Sequence, residues 1–67
     1  MTSVAKIVEL SADSEKSFDD AIEIGIQRAT STIKNVKSVW VKDQEALVEE
    51  NRIRVYRVHM KVTFKLE

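Results

Sequence analysis

The apolar and polar positions of this chain change their period several times between its ends. Residues 4–10, Val-Ala-Lys-Ile-Val-Glu-Leu, are dense in β-branched and apolar types and predict a first strand. Ser-Ala-Asp-Ser-Glu-Lys over 11–16 interrupts that pattern. From Phe18 the apolar residues fall at Phe18, Ala21, Ile22, Gly25, Ile26, Ala29 and Ile33, spacings of three and four that define one face of a helix. Ser17 stands before the stripe as an N-cap, with Asp20 at the third helical position in a capping-box arrangement. Asp19 and Asp20 suit the positive end of the helix dipole, and Lys34 and Lys37 are expected at its negative end. Ile24 lies off the stripe, as an isolated exposed residue or a subunit contact. Gly25 costs roughly 1 kcal/mol relative to Ala inside a helix, so it is expected to let a strand or a neighbouring helix come close.

A second strand is predicted over 36–48 and a third over 52–66, joined by a hairpin turn at Glu49-Glu50-Asn51-Arg52. Asn51 is the turn residue best able to take positive φ. The third strand alternates most clearly. Tyr56, Val58, Met60, Val62, Phe64 and Leu66 point to one face, expected to cover the helix; Val55, Arg57, His59, Lys61, Thr63 and Lys65 point to the other. The order strand, helix, strand, strand predicts an α+β subunit in which the helix carries the chain past one strand position and the third strand fills it. The result is a three-stranded antiparallel sheet on one helix, read as a single domain over 1–67. Two long sheet edges would remain open, with no proline or second helix to protect them, and pairing between identical copies would satisfy them.

Composition strengthens that expectation. A chain of 67 residues is one domain at most. A chain of this size buries only about 60% of its unfolded surface. It has no cysteine and one histidine, so disulfides, thiolate metal sites and the usual zinc sites are excluded, and association is the remaining staple. Eleven basic and eleven acidic residues cancel and are interleaved, which argues against nucleic-acid binding and membrane-surface anchoring. The apolar runs fall short of a membrane span, and the first residues lack a signal-peptide pattern, so a cytoplasmic protein is expected. No nucleophile–base pairing, metal cluster or phosphate loop points to an enzyme.

Three segments then carry a family resemblance: Ser14-Glu15-Lys16-Ser17-Phe18 at the helix start, Thr32-Ile33-Lys34-Asn35-Val36 at its end, and the closing run from Tyr56 to Leu66. Together they resemble the dodecins, small flavin-binding proteins of bacteria and archaea. The resemblance implies a hollow homododecamer built as a tetramer of trimers. It also implies non-catalytic binding, storage or sequestration of a flavin (riboflavin, FMN or FAD) at subunit interfaces. In typical members a tryptophan of the second strand stacks on the flavin, and a glutamine of the third bonds the pyrimidine edge of the ring. Those positions fall here on Ser38 and Arg57. The only tryptophan, Trp40, lies two residues further on, on the same sheet face and displaced by roughly 7 Å.

The implied site is therefore Trp40 as stacking platform, with polar contacts from Arg57 and Gln44 and with Ser38 at the usual tryptophan position. Arginine only donates, so it suits a carbonyl, a phosphate or a carboxylate better than the imide N–H of a flavin. For Trp40 the alternative role is interface packing. For Arg57 it is a salt bridge, to Asp43 or Glu45. Asp43 is a candidate cation ligand if copies meet at a symmetry axis; one carboxylate alone is a poor calcium site. The resemblance thus leaves a second class open, a scaffold or calcium-binding dodecin without flavin. The acidic turn Glu49-Glu50-Asn51 lacks the spacing of an EF-hand, and His59 is expected on a surface or interface, with no partner for catalysis.

Overall fold

The computed structural model describes residues 3–66; Met1, Thr2 and Glu67, the ends of the span read as one domain, lie outside the described residues. Strand β1 (Ala5–Ser14) is followed by helix α1 (Phe18–Thr32), β2 (Val36–Glu49) and β3 (Arg52–Lys65). The sheet order is β1-β3-β2, antiparallel throughout, with β3 in the centre. The split arrangement read from the sequence is the one formed.

Strand β1 runs four residues beyond its predicted end. Ser11 to Ser14 pair with His59, Val58, Arg57 and Tyr56, because β3 is long enough to offer them backbone partners whatever their side chains. The alternation continues through the extension, with Ala12 opposite Val58 and Ser14 opposite Tyr56 on the helix side.

Ser17 caps α1, its Oγ accepting from Asp20 N–H at 2.9 Å. The reciprocal half of the box is not made by Asp20. Its carboxylate instead accepts from the buried Ser14 hydroxyl at 2.7 Å, and Ser14 Oγ accepts from the backbone N–H groups of Lys16 and Ser17. One serine thereby ties the end of β1 to the start of α1. At the other end Ile33 is an extended C-cap, so Lys34 and Lys37 fall outside the helix and no basic residue occupies its last turn. Asn35, in the left-handed region at φ 62°, turns the chain into β2, and its carbonyl accepts from Lys65 N–H.

The helix buries Ala21, Gly25 and Ala29 against the sheet. A Cβ on Gly25 would meet Met60 Cε, with Ala12 Cβ at 3.3 Å and Leu10 Cδ1 at 3.4 Å, so the expected close approach is to β1 and β3. The core gathers Ala21, Val58 and Met60, with Leu10, Ala12, Phe18, Ile22, Val39 and Val41 against it. It is thin, as small residues on one helix over three strands must make it. Ile24 remains exposed. At the hairpin tip both Glu50 and Asn51 take positive φ (54° and 64°), the two-residue turn whose twist matches antiparallel strands.

Candidate ligand-binding face

The face of the sheet away from α1 carries a row of charged side chains from all three strands. Residues directly opposite on antiparallel strands share a face, so the register assigns each candidate. Ser38 pairs with Thr63 and Trp40 with Lys61, which puts both on the open face. Past Val41 the register shifts by one, because Lys42 is an extra residue opposite the Met60–His59 step. This bulge reverses the parity of the residues after it. Asp43 pairs with His59 and Glu45 with Arg57 on the open face, whereas Gln44 pairs with Val58 on the helix side. Trp40, Ser38, Arg57 and Asp43 therefore share a surface within one subunit, and Gln44 does not. Within one subunit the bulge thus parts Gln44 from Trp40.

Ion pairs organise this face. Arg57 donates from Nε and Nη2 to the two carboxylate oxygens of Asp13, at 2.8 and 2.9 Å, in a bidentate fork. Its Nη1 lies 3.9 Å from Glu45. The hydrogen bond from Arg57 holds the Asp13 carboxyl below the usual carboxylate range, and the bond to Asp13 raises the guanidinium further above neutrality. Of the two partners expected for Arg57, Glu45 is secondary, and Asp43 sits instead 3.8 Å from His59 Nε2. His59 is closer to Glu45, at 3.1 Å. The sequence pattern does not reveal Asp13 as the main partner, because 11–16 reads as a break rather than as strand. Further along, Lys42 reaches Glu9 of β1 at 3.5 Å.

Trp40 is 63% exposed, and the Lys61 ammonium lies 5.2 Å from its ring centroid, within cation–π range. Ile7, opposite Thr63 on β1, adds a second exposed apolar side chain to the same region. Arg57 is four positions from Lys61 along β3, roughly 13 Å at the rise of a strand. A single subunit thus does not bring Trp40 and Arg57 together on one ring-sized ligand. Hollows of about 580 and 570 Å³ flank α1, lined by residues such as Asp19, Ile22 and Ile26 in one and Asp13, Lys16 and Ile24 in the other, away from Trp40. Among the described residues, no three His, Cys, Asp or Glu side chains are grouped to hold a metal, so Asp43 has no ligand set within the subunit. Nor, among the described residues, is any helix long and apolar enough to cross a membrane.

The family model for Dodecin matches residues 4–67. This chain belongs to the dodecin family. The dodecin of Thermus thermophilus is 33% identical over 67 residues, covering the whole of this chain and 97% of the relative. The dodecin fold is shared just as fully. The structure of dodecin from Streptomyces davaonensis superposes with a TM-score of 0.93 at 27% identity, covering 100% of this chain and 98% of that one. The calcium-chelating immunodominant antigen of Mycobacterium tuberculosis, described as a calcium dodecin with a novel calcium-binding site, superposes with a TM-score of 0.84 at 26% identity, over 97% and 93% of the two chains. In this dodecin the β-α-β-β subunit accordingly presents Trp40, Arg57 and their neighbours on the open face of the sheet.

Proposed function

We propose that this dodecin assembles as a homododecamer of four trimers and binds a flavin, without turning it over, where subunits meet. Membership of the family supports the assembly. So do β1 and β2, which, among the described residues, each lack a strand neighbour on one side within the subunit. The observation that carries the ligand is Trp40: the only tryptophan of the chain stands largely exposed on the open sheet face, with Ser38 beside it leaving room where family members carry their own tryptophan. An exposed indole is a stacking surface for a planar ring. Arg57 is held by Asp13 through Nε and Nη2, so its contribution is a hydrogen bond from Nη1 to a ring carbonyl, made from a subunit other than the one stacking the ring. Gln44 contributes only if a neighbouring subunit reaches the helix side of the sheet. Storage or sequestration in the cytoplasm is the role that fits a site with no reacting groups.

Titrating the protein into riboflavin, FMN or FAD tests this reading. Flavin fluorescence should be quenched to saturation at one or fewer flavins per subunit, and Trp40→Ala should abolish the quenching. Unquenched emission at micromolar protein rejects it.

A second reading is a cation-binding dodecin. The bulge at Lys42 turns Asp43 and Glu45 together onto the open face, both well exposed. Copies of Asp43 around an axis would supply the several oxygens that calcium requires. Calorimetry with calcium, compared between the unaltered protein and Asp43→Asn, tests it: heat that persists in the variant excludes Asp43.

A further inference from the structure

The groups around Trp40 also bear on which planar ligands it selects. Lys61 pairs directly with Trp40 across β2 and β3, and its ammonium sits over the indole ring. Among the described residues no carboxylate lies within 4.0 Å of that ammonium. Glu9 is the carboxylate directly opposite Lys61 on β1, and it is engaged by Lys42. Glu9 is thus paired with Lys42, and the indole ring is the partner Lys61 holds. Arg57, the residue whose chemistry first suggests an anion grip, is closed on Asp13 through both arms of its fork.

We infer that Lys61 is the specificity-determining residue of the Trp40 platform and that it selects planar ligands bearing a phosphate over their neutral counterparts. The inference rests on the flavin reading above. A ring stacking on the covered face of the indole moves the ammonium to the ring's rim, where the substituents of the ligand lie. A ring stacking on the other face leaves it within reach of the same substituents by rotation of its flexible stem. An exposed cation–π contact is worth about 0.5–1 kcal/mol. A charge-assisted bond to phosphate is stronger, so the exchange favours the phosphorylated ligand.

The test compares FMN with riboflavin by fluorescence quenching. FMN should bind about tenfold more tightly at low salt, and the margin should shrink as salt screens it while riboflavin affinity stays level. Lys61→Gln should bring the two ligands to equal affinity and Lys61→Arg should keep the margin, with sedimentation checking that each variant assembles like the unaltered protein. Arg57→Gln should move both affinities together and leave their ratio intact. Equal affinities in the unaltered protein, a margin that ignores salt, or a margin that survives Lys61→Gln each overturn the inference while leaving flavin binding standing. Quenching of neither ligand removes the flavin reading, and this inference falls with it.

Discussion

Trp40 and Gln44 stand four positions apart on β2, yet they face opposite sides of the sheet. In an uninterrupted strand they would share a side. The extra residue Lys42 is the cause, and its effect extends past Gln44. It also turns Asp43 and Glu45 toward His59 and Arg57, so the contacts of these two carboxylates on the open face exist because of one inserted backbone position. A bulge that re-aims side chains beside a candidate site is a familiar use of this feature.

Gly25 should not accept a side chain while Met60 keeps its full length. A methyl at this position meets Met60 Cε, and Met60 is itself buried. The methionine tip is flexible, but it must move within a packed core. Crowding outweighs the roughly 1 kcal/mol of helix propensity gained, so Gly25→Ala should lower stability by about 1–2 kcal/mol net. Urea denaturation measures the loss, and Met60→Val in the same chain should recover part of it, as expected for two changes that share one space. A more stable Gly25→Ala protein would contradict the packing described.

Ser14 joins β1 to α1 more firmly than its exposed neighbours suggest. Its hydroxyl donates to Asp20 and accepts from two backbone N–H groups, all in a partly buried setting. Ser14→Ala removes every one of these bonds, and a loss of about 1–3 kcal/mol is expected. Ser17→Ala, which removes the cap alone, should cost about 1 kcal/mol. Equal losses for the two, measured by thermal or chemical denaturation, would show that the Ser14 bonds contribute no more than the Ser17 cap alone.

The Arg57–Asp13 pair predicts a modest acid sensitivity. Asp13 has a depressed folded-state pKa, because Arg57 hydrogen-bonds its charged form. Its contribution is therefore complete above the unfolded carboxylate value, near pH 4, and is lost as pH falls through the lower folded value. Both partners are partly solvated, so the effect is small and salt-sensitive. Asp13→Asn should be less stable than the unaltered protein at neutral pH, and the two stability curves should converge toward low pH. Parallel curves would mean that the pair contributes nothing to folding.

Features that depend on near neighbours along the chain were legible in its residues alone. The Ser17 cap, the helix stripe, the alternation of β3 and the hairpin at Glu49–Arg52 all express local backbone preference or a short hydrophobic period, and the element order followed from them. Gly25 was legible as a point of close approach because glycine is a poor choice inside a helix without such a reason. The length of β1, the bulge at Lys42 and the partner of Arg57 belong to the folded chain. Ser11 to Ser14 are strand because β3 supplies their hydrogen bonds from more than forty residues away, and nothing in their side chains requires it. Lys42 lacks the glycine that would mark a bulge, so the reversal of faces after it had no signal in the pattern. Asp13 meets Arg57 because β1 lies beside β3 in register, and the choice among distant carboxylates is made by strand pairing, which acts across the fold and leaves no local trace.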